Sequence, residues 1–198
     1  NNVFVIPNGV YLSDVVEEKV SFDGPSVGYL GHMGYTPNIR AAKRLYVLFK
    51  QAQKHIPNLF LVIIGRDPSP EILALADDPQ VLVTGTVENI WPYVQGVDLF
   101  VFPMETGSGQ QNKLLEAMAV GKPVISTTLG NSGVRAVHRE SVVLADTDEE
   151  LCNALIEFMS APEKRTQLGM SGKDFVIRTY AWPSVFRQLN ETLFRTVK

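Results

Sequence analysis

Short apolar runs alternate with longer amphipathic segments along most of the chain. The runs are 26–30, 59–64, 81–83, 97–102, 123–125 and 142–144. Each has strand length, is rich in Val, Ile and Phe, and is bounded by Gly, Pro or Asp. Runs that are apolar on both faces suit parallel strands covered by helices on each side. The intervening segments have helical spacing. Thr36 is expected to cap the first helix, with Pro37 in its first turn, where a missing N–H costs nothing. Ala41, Leu45, Leu48 and Ala52 form its apolar stripe. Residues 107–119 read as a glycine-rich turn followed by a helix carrying Leu114, Leu115 and Met118. Thr147 and Glu150 have the spacing of a capping box ahead of Leu151, Ala154, Leu155 and Phe158. Two further helices are predicted, one over 162–179 and one from Trp182 onward. The second carries a stripe of Trp182, Phe186, Leu189 and Leu193 that reads mainly as core packing, with exposure of part of it in a fragment the alternative. Trp91 and Tyr93, flanking Pro92, also read as packing residues.

Alternation of strand and helix, repeated about five times, predicts a doubly wound, mostly parallel, Rossmann-like α/β sheet with helices on both faces. No internal repeat, linker or low-complexity tract interrupts it. Residues 1–198 therefore read as one domain, with 1–24 an irregular lead-in containing an Asn8-Gly9 turn signal, and 181–198 a terminal helix.

Composition narrows the classes. The chain has 198 residues, is 45% apolar and 20% charged, and carries a formal net charge of −3. Nothing in that balance makes an electrostatic footprint for nucleic acid or an anionic membrane. The longest apolar run, 59–64, is far short of the roughly 20 residues that a membrane helix needs. The start, Asn1-Asn2-Val3, does not read as a signal peptide and is compatible with a cut fragment. A single cysteine, Cys152, excludes an internal disulfide framework and suits a reducing, cytoplasmic setting.

In an open parallel sheet, ligands sit at the carboxyl ends of the strands, where helix N-termini converge. Those ends are expected at 28–34, 65–67, 85–87, 103–109 and 126–133. The richest is the stretch 105–116, in which a glycine turn opens a helix. Unpaired N–H groups and the positive end of the helix dipole there favour phosphate. Lys113 adds a full positive charge. Glu116, three residues on, can accept hydrogen bonds from paired hydroxyls such as those of a ribose. The competing reading is that Glu116 merely pairs with Lys113 and the glycines only make a turn.

Other signals fail. Residues 28–34 spell G-x-x-G-x-x-G, not the G-x-G-x-x-G dinucleotide fingerprint, and Gly121-Lys122-Pro123 lacks the rest of a P-loop. Asp146-Thr147-Asp148 matches a D-x-D string but opens a predicted helix, where acidic caps are expected. His32, His55 and His138 show no metal-ligand spacing, although His32 lies in the first glycine loop. Arg135 and Arg139 read as a solvated helix face, with contact to the phosphates the alternative.

The stretch 114–125, Leu-Leu-Glu-Ala-Met-Ala-Val-Gly-Lys-Pro-Val-Ile, resembles the signature of family 4 (group 1) glycosyltransferases, retaining enzymes of GT-B fold that use nucleotide-sugar donors. Residues 5–10, 27–31, 61–65 and 83–87 and the Tyr180-Ala181-Trp182 triplet match other parts in order. The resemblance spans nearly the whole chain but only the C-terminal, donor-binding lobe. It implies that an N-terminal lobe, outside these 198 residues, binds the acceptor, carries the catalytic residue and could make any peripheral membrane contact. In the family, two glutamates stand eight positions apart at this junction. The second matches Glu116 and holds the ribose; the first falls at Ser108. An Arg and a Lys that contact the diphosphate in many members fall at Tyr29 and Gly34.

The resemblance thus implies a donor site built from Gly31, His32, Gly65, Arg66, Thr86, Val87, Ser108, Gly109, Gln110, Asn112, Lys113, Leu114 and Glu116. It implies no cofactor beyond the nucleoside-diphosphate sugar itself and no metal. Glu105 is a candidate replacement for the missing first glutamate. The lobe alone is expected to bind nucleotide without turnover. The alternative, motivated by Tyr29, Gly34 and Ser108, is a non-catalytic interaction domain that kept the fold and lost the donor site. A nicotinamide-dependent oxidoreductase shares the sheet but lacks the glycine fingerprint.

Overall fold

The computed structural model describes residues 3–11, 18–107 and 109–196. Six strands form one parallel sheet: β1 (Ser26–Leu30), β2 (Phe60–Ile64), β3 (Val81–Val83), β4 (Leu99–Phe102), β5 (Val124–Ser126) and β6 (Val143–Leu144). All six lie within or one residue from the apolar runs. Their spatial order is β3-β2-β1-β4-β5-β6. The chain therefore winds outward from β1 to β3, returns to β1's other side at β4, and winds outward again. That reversal is the topological switch point at which such sheets hold ligands.

The helices are α1 (Thr36–Ala52), α2 (Pro70–Leu73), α3 (Trp91–Gly96), α4 (Asn112–Ala119), α5 (Thr128–Asn131), α6 (Asp148–Met159), α7 (Pro162–Thr179) and α8 (Trp182–Thr196), with a 3₁₀ turn at Ala74–Asp77. Right-handed crossovers send α1 and α4 to opposite faces once the winding direction reverses. In keeping with this, α1 packs against α6 and α4 against α7. Ala41, Leu45, Leu48 and Ala52 of α1 are buried, as are all residues of β1, β4 and β5. At roughly 25 cal/mol per Å² of apolar surface removed from water, this two-sided burial is the main stabilisation of the sheet.

Several expectations are corrected in detail. Thr36 is the first helical residue rather than the cap; the cap position belongs to Tyr35, which makes no side-chain capping bond. Proline at 37 fixes the first turn without one. The Thr147–Glu150 capping box is present, with the Glu150 amide donating to Thr147 Oγ1 at 3.2 Å and the Thr147 amide to Glu150 Oε2 at 3.0 Å. Asp146 and Asp148 are both engaged by other parts of the chain. Asp146 accepts from the Thr128 amide and hydroxyl, and Asp148 pairs with Arg44 at 2.6 Å. Arg135 and Arg139 lie on loops, not a helix, each in the left-handed region with φ of 57° and 59°. The α8 stripe is covered only in part: Phe186 and Leu193 are each 55% exposed, while Trp182 and Leu189 are half-buried.

The lead-in is tied to the end of the fold. Val10 bridges to Ala181, its amide donating to Tyr180 O at 2.8 Å, and Gly9 lies directly against the Trp182 ring. Cys152 is buried within α6, where desolvation raises its thiol pKa.

Candidate functional site

The carboxyl ends of β1, β2 and β3 open into a crevice of about 310 Å³ that α4 closes from the other side of the switch point. From β1 come Leu30, Gly31 and His32; from β2, Gly65 and Arg66; from β3, Gly85, Thr86 and Val87; from α4, Lys113 and Glu116. Ile90 completes the wall. The backbone makes this convergence possible at Gly65. Its φ is +151°, and a Cβ there would stand 1.6 Å from the Gly31 carbonyl oxygen. Only glycine lets the ends of β1 and β2 come that close.

Lys113 reaches inward from the first turn of α4. Its Nζ donates to Asn38 Oδ1 at 2.6 Å and to the Tyr29 hydroxyl at 3.0 Å, and stands 3.4 Å from Met104 Sδ. The ammonium also lies 5.1 Å from the centroid of the Tyr29 ring. Burial lowers the Lys113 pKa to about 8, and the Glu116 charge works against that fall. Glu116 shows the mirror effect: burial raises its carboxyl pKa while Lys113 opposes the rise. Among the described residues, none donates a hydrogen bond to the Glu116 carboxylate. It faces the crevice half-buried, with open acceptor capacity.

At the rim, His32 Nε2 lies 3.0 Å from Asp67 Oδ2, and Arg66 Nε is 3.7 Å from the same oxygen. Asp67 sits at φ 52°, a left-handed conformation that aims its carboxylate back across the first glycine loop. Asn38, buried in the first turn of α1, donates from Nδ2 to the His32 carbonyl at 3.0 Å.

The crevice thus brings together Gly31, His32, Gly65, Arg66, Thr86, Val87, Lys113 and Glu116. The remaining expected residues are elsewhere. Leu114 is fully buried in the core, its amide donating to Gln111 O. Asn112 is exposed at the start of α4, where its Oδ1 accepts from Gln110 Nε2 at 3.1 Å. Gly109 and Gln110 line a separate groove of about 560 Å³ beside the lead-in and Tyr180. There the Gln110 amide makes a two-point clamp on the Asn8 backbone, at 3.2 and 2.9 Å. Ser108 lies outside the described residues. Glu105 lines a different depression with Arg40 and Lys43, not the crevice. Asn38 and the pairing of Asp67 with His32 escaped the sequence reading. Asn38 has no motif around it, and its contacts come from three separate elements. Tyr29 drew notice only as a missing cation. Among the described residues, no group of three or more His, Cys, Asp or Glu side chains is placed to hold a metal, and no helix is long and apolar enough to cross a membrane.

Comparison with known proteins bears on this arrangement. A family model described as glycosyl transferases group 1 matches residues 24–161. No curated protein matches the sequence. Among solved structures, TarM of S. aureus superposes with a TM-score of 0.79 at 17% identity, covering 96% of this chain and 39% of that one. Sucrose-phosphate synthase from Thermosynechococcus elongatus gives 0.75 at 22% identity, covering 97% and 52%. HepE from Anabaena, solved in complex with UDP-glucose, gives 0.68 at 16% identity, covering 87% and 49%. These likenesses carry the fold. The chain spans from 39% to 52% of the length of these three neighbours.

Proposed function

This chain belongs to the group 1 glycosyl transferases, and we propose that it is the donor-binding lobe of a retaining enzyme that moves a sugar from a nucleoside-diphosphate sugar to an acceptor. The observation that carries the reading is the crevice itself. It is open, lies at the switch point, and sets one half-buried ammonium beside one carboxylate with no hydrogen-bond donor among the described residues. In this reading the base lies against the backbone of Gly65–Arg66 and Thr86–Val87. Glu116 accepts hydrogen bonds from the ribose hydroxyls, and Lys113 with the opening turn of α4 faces the diphosphate. Placed there, they would stabilise the negative charge that grows on the leaving diphosphate as the glycosidic bond breaks. HepE, solved with UDP-glucose, lends support by likeness of fold. No metal is required for this division of labour. The acceptor and the catalytic residue would come from a second lobe of the same polypeptide, so the chain alone should bind nucleotide without turnover.

The test is a calorimetric titration of the chain with UDP, GDP and ADP. Binding of at least one is expected. Glu116→Gln should weaken that binding by about 1–3 kcal/mol, the range for a lost charged hydrogen-bonding partner. A folded protein that releases no heat with any of the three would overturn the proposal in favour of a domain that kept the fold and lost the donor.

A further inference from the structure

We propose that Asn38 and Tyr29 are positioning residues that seat the Lys113 ammonium at the crevice wall, so that its charge meets the diphosphate of a bound nucleotide. This rests on the donor-site reading above. Tyr29 stands where a family cation is expected, and the structure gives it a task of its own. Its hydroxyl donates to Asn38 Oδ1 at 3.0 Å and accepts from Lys113 Nζ at 3.0 Å. Asn38 Oδ1 accepts from both, the ammonium lying at 2.6 Å. The amide cannot turn over without bringing its NH₂ against the ammonium. Its other end is pinned in turn, because Nδ2 donates to the His32 carbonyl. The seat therefore joins β1, α1, α4 and the first glycine loop.

The chemistry of this seat matters as much as its geometry. Among the described residues, every group that hydrogen-bonds Lys113 is neutral: an amide oxygen, a phenol and the thioether of Met104. Such a seat holds the ammonium in place without cancelling its charge, which a carboxylate at the same position would do. The thioether at 3.4 Å is a weak acceptor, so the third N–H is the least firmly held of the three. Among the described residues, the other titratable groups at the crevice are Glu116 on α4 itself and, at the rim, His32, Asp67 and Arg66. Tyr29 is itself titratable, but burial pushes its pKa upward and keeps the phenol neutral. Burial sets Lys113 to lose its proton near pH 8, so nucleotide affinity should fall as pH rises past that value.

The experiment measures affinity for UDP, GDP and ADP against pH from 6 to 10 in the wild type, Asn38→Asp and Tyr29→Phe. Circular dichroism and thermal melting confirm that each variant folds. Asn38→Asp places a carboxylate on the ammonium. It should weaken binding at least about tenfold at neutral pH and move the alkaline fall to higher pH. Tyr29→Phe removes one neutral acceptor and leaves the ammonium in a more apolar site. It should weaken binding about threefold to tenfold, the range for one hydrogen bond, and move the fall to lower pH. Opposite displacement of the two profiles is the signature, because general damage to the crevice would move neither. If Asn38→Asp does not fold, Tyr29→Phe decides alone through the downward shift. Folded variants that bind like the wild type, or that bind weakly with an unmoved profile, overturn the inference while the donor reading stands. Wild-type protein that binds none of the three nucleotides overturns both.

Discussion

At Lys113, burial and hydrogen bonding pull in opposite directions. The side chain is placed by the phenol of Tyr29 and the amide of Asn38, yet the same enclosure makes its charge costly. A lysine whose folded pKa lies below its unfolded value binds fewer protons when folded. Its share of stability is therefore poorest below the folded pKa and recovers as pH rises from about 8 toward the ordinary lysine value of about 10.4. Replacing the ammonium by an apolar chain removes that dependence. The stability of Lys113→Met relative to wild type is expected to be highest at neutral pH and to decline between about pH 8 and about 10.4. Denaturant unfolding at three pH values across this window reads the difference; a constant gap would contradict it. Lys113 and Glu116 were legible as chemistry because a helix turn puts residues three apart on one face. Which way Lys113 turns was not legible. Its two oxygen partners stand 84 and 75 positions away along the chain.

Local signals set most elements, and their reliability follows how local each signal is. The Thr147 cap and its Glu150 partner lie within one turn, so pattern and structure coincide. Thr147→Ala should cost about 0.5–2 kcal/mol, visible as a lower midpoint in chemical denaturation with an unchanged slope. The effect reaches beyond α6. Arg44 of α1 pairs with Asp148 and donates to the carbonyls of Asp146 and Pro103, so fraying there would loosen the joint between α1 and α6. Thr36 shows the limit of such signals. A threonine before a helical run satisfies the capping pattern, yet the helix begins at Thr36 itself because Tyr35 already has the extended backbone of a cap. The α8 stripe marks another limit. Its apolar spacing was legible, but Phe186, Leu193 and Phe194 remain exposed, since spacing tells which residues share a face and not what covers it.

Across the whole molecule, the crevice exists because the winding of the sheet reverses between β1 and β4 and because two strand ends touch through glycine. Gly65→Ala tests that dependence. The added carbon would collide with the Gly31 carbonyl at a backbone angle that L-residues avoid, so a loss of several kcal/mol is expected, together with loss of nucleotide binding. A variant that melts like the wild type would show that β1 and β2 can separate without harm. Six apolar runs, their parallel arrangement and the helices between them could be read from the chain, because alternation of burial is written residue by residue. The glycines at strand ends and the charged pair on α4 were readable for the same reason. Closure of Asn38 and Tyr29 around Lys113, the placement of Gln110 in a different groove and the burial of Leu114 came only with the fold. Each depends on distances between segments far apart along the chain, and those distances are set by how helices pack on a twisted sheet rather than by any neighbouring residue.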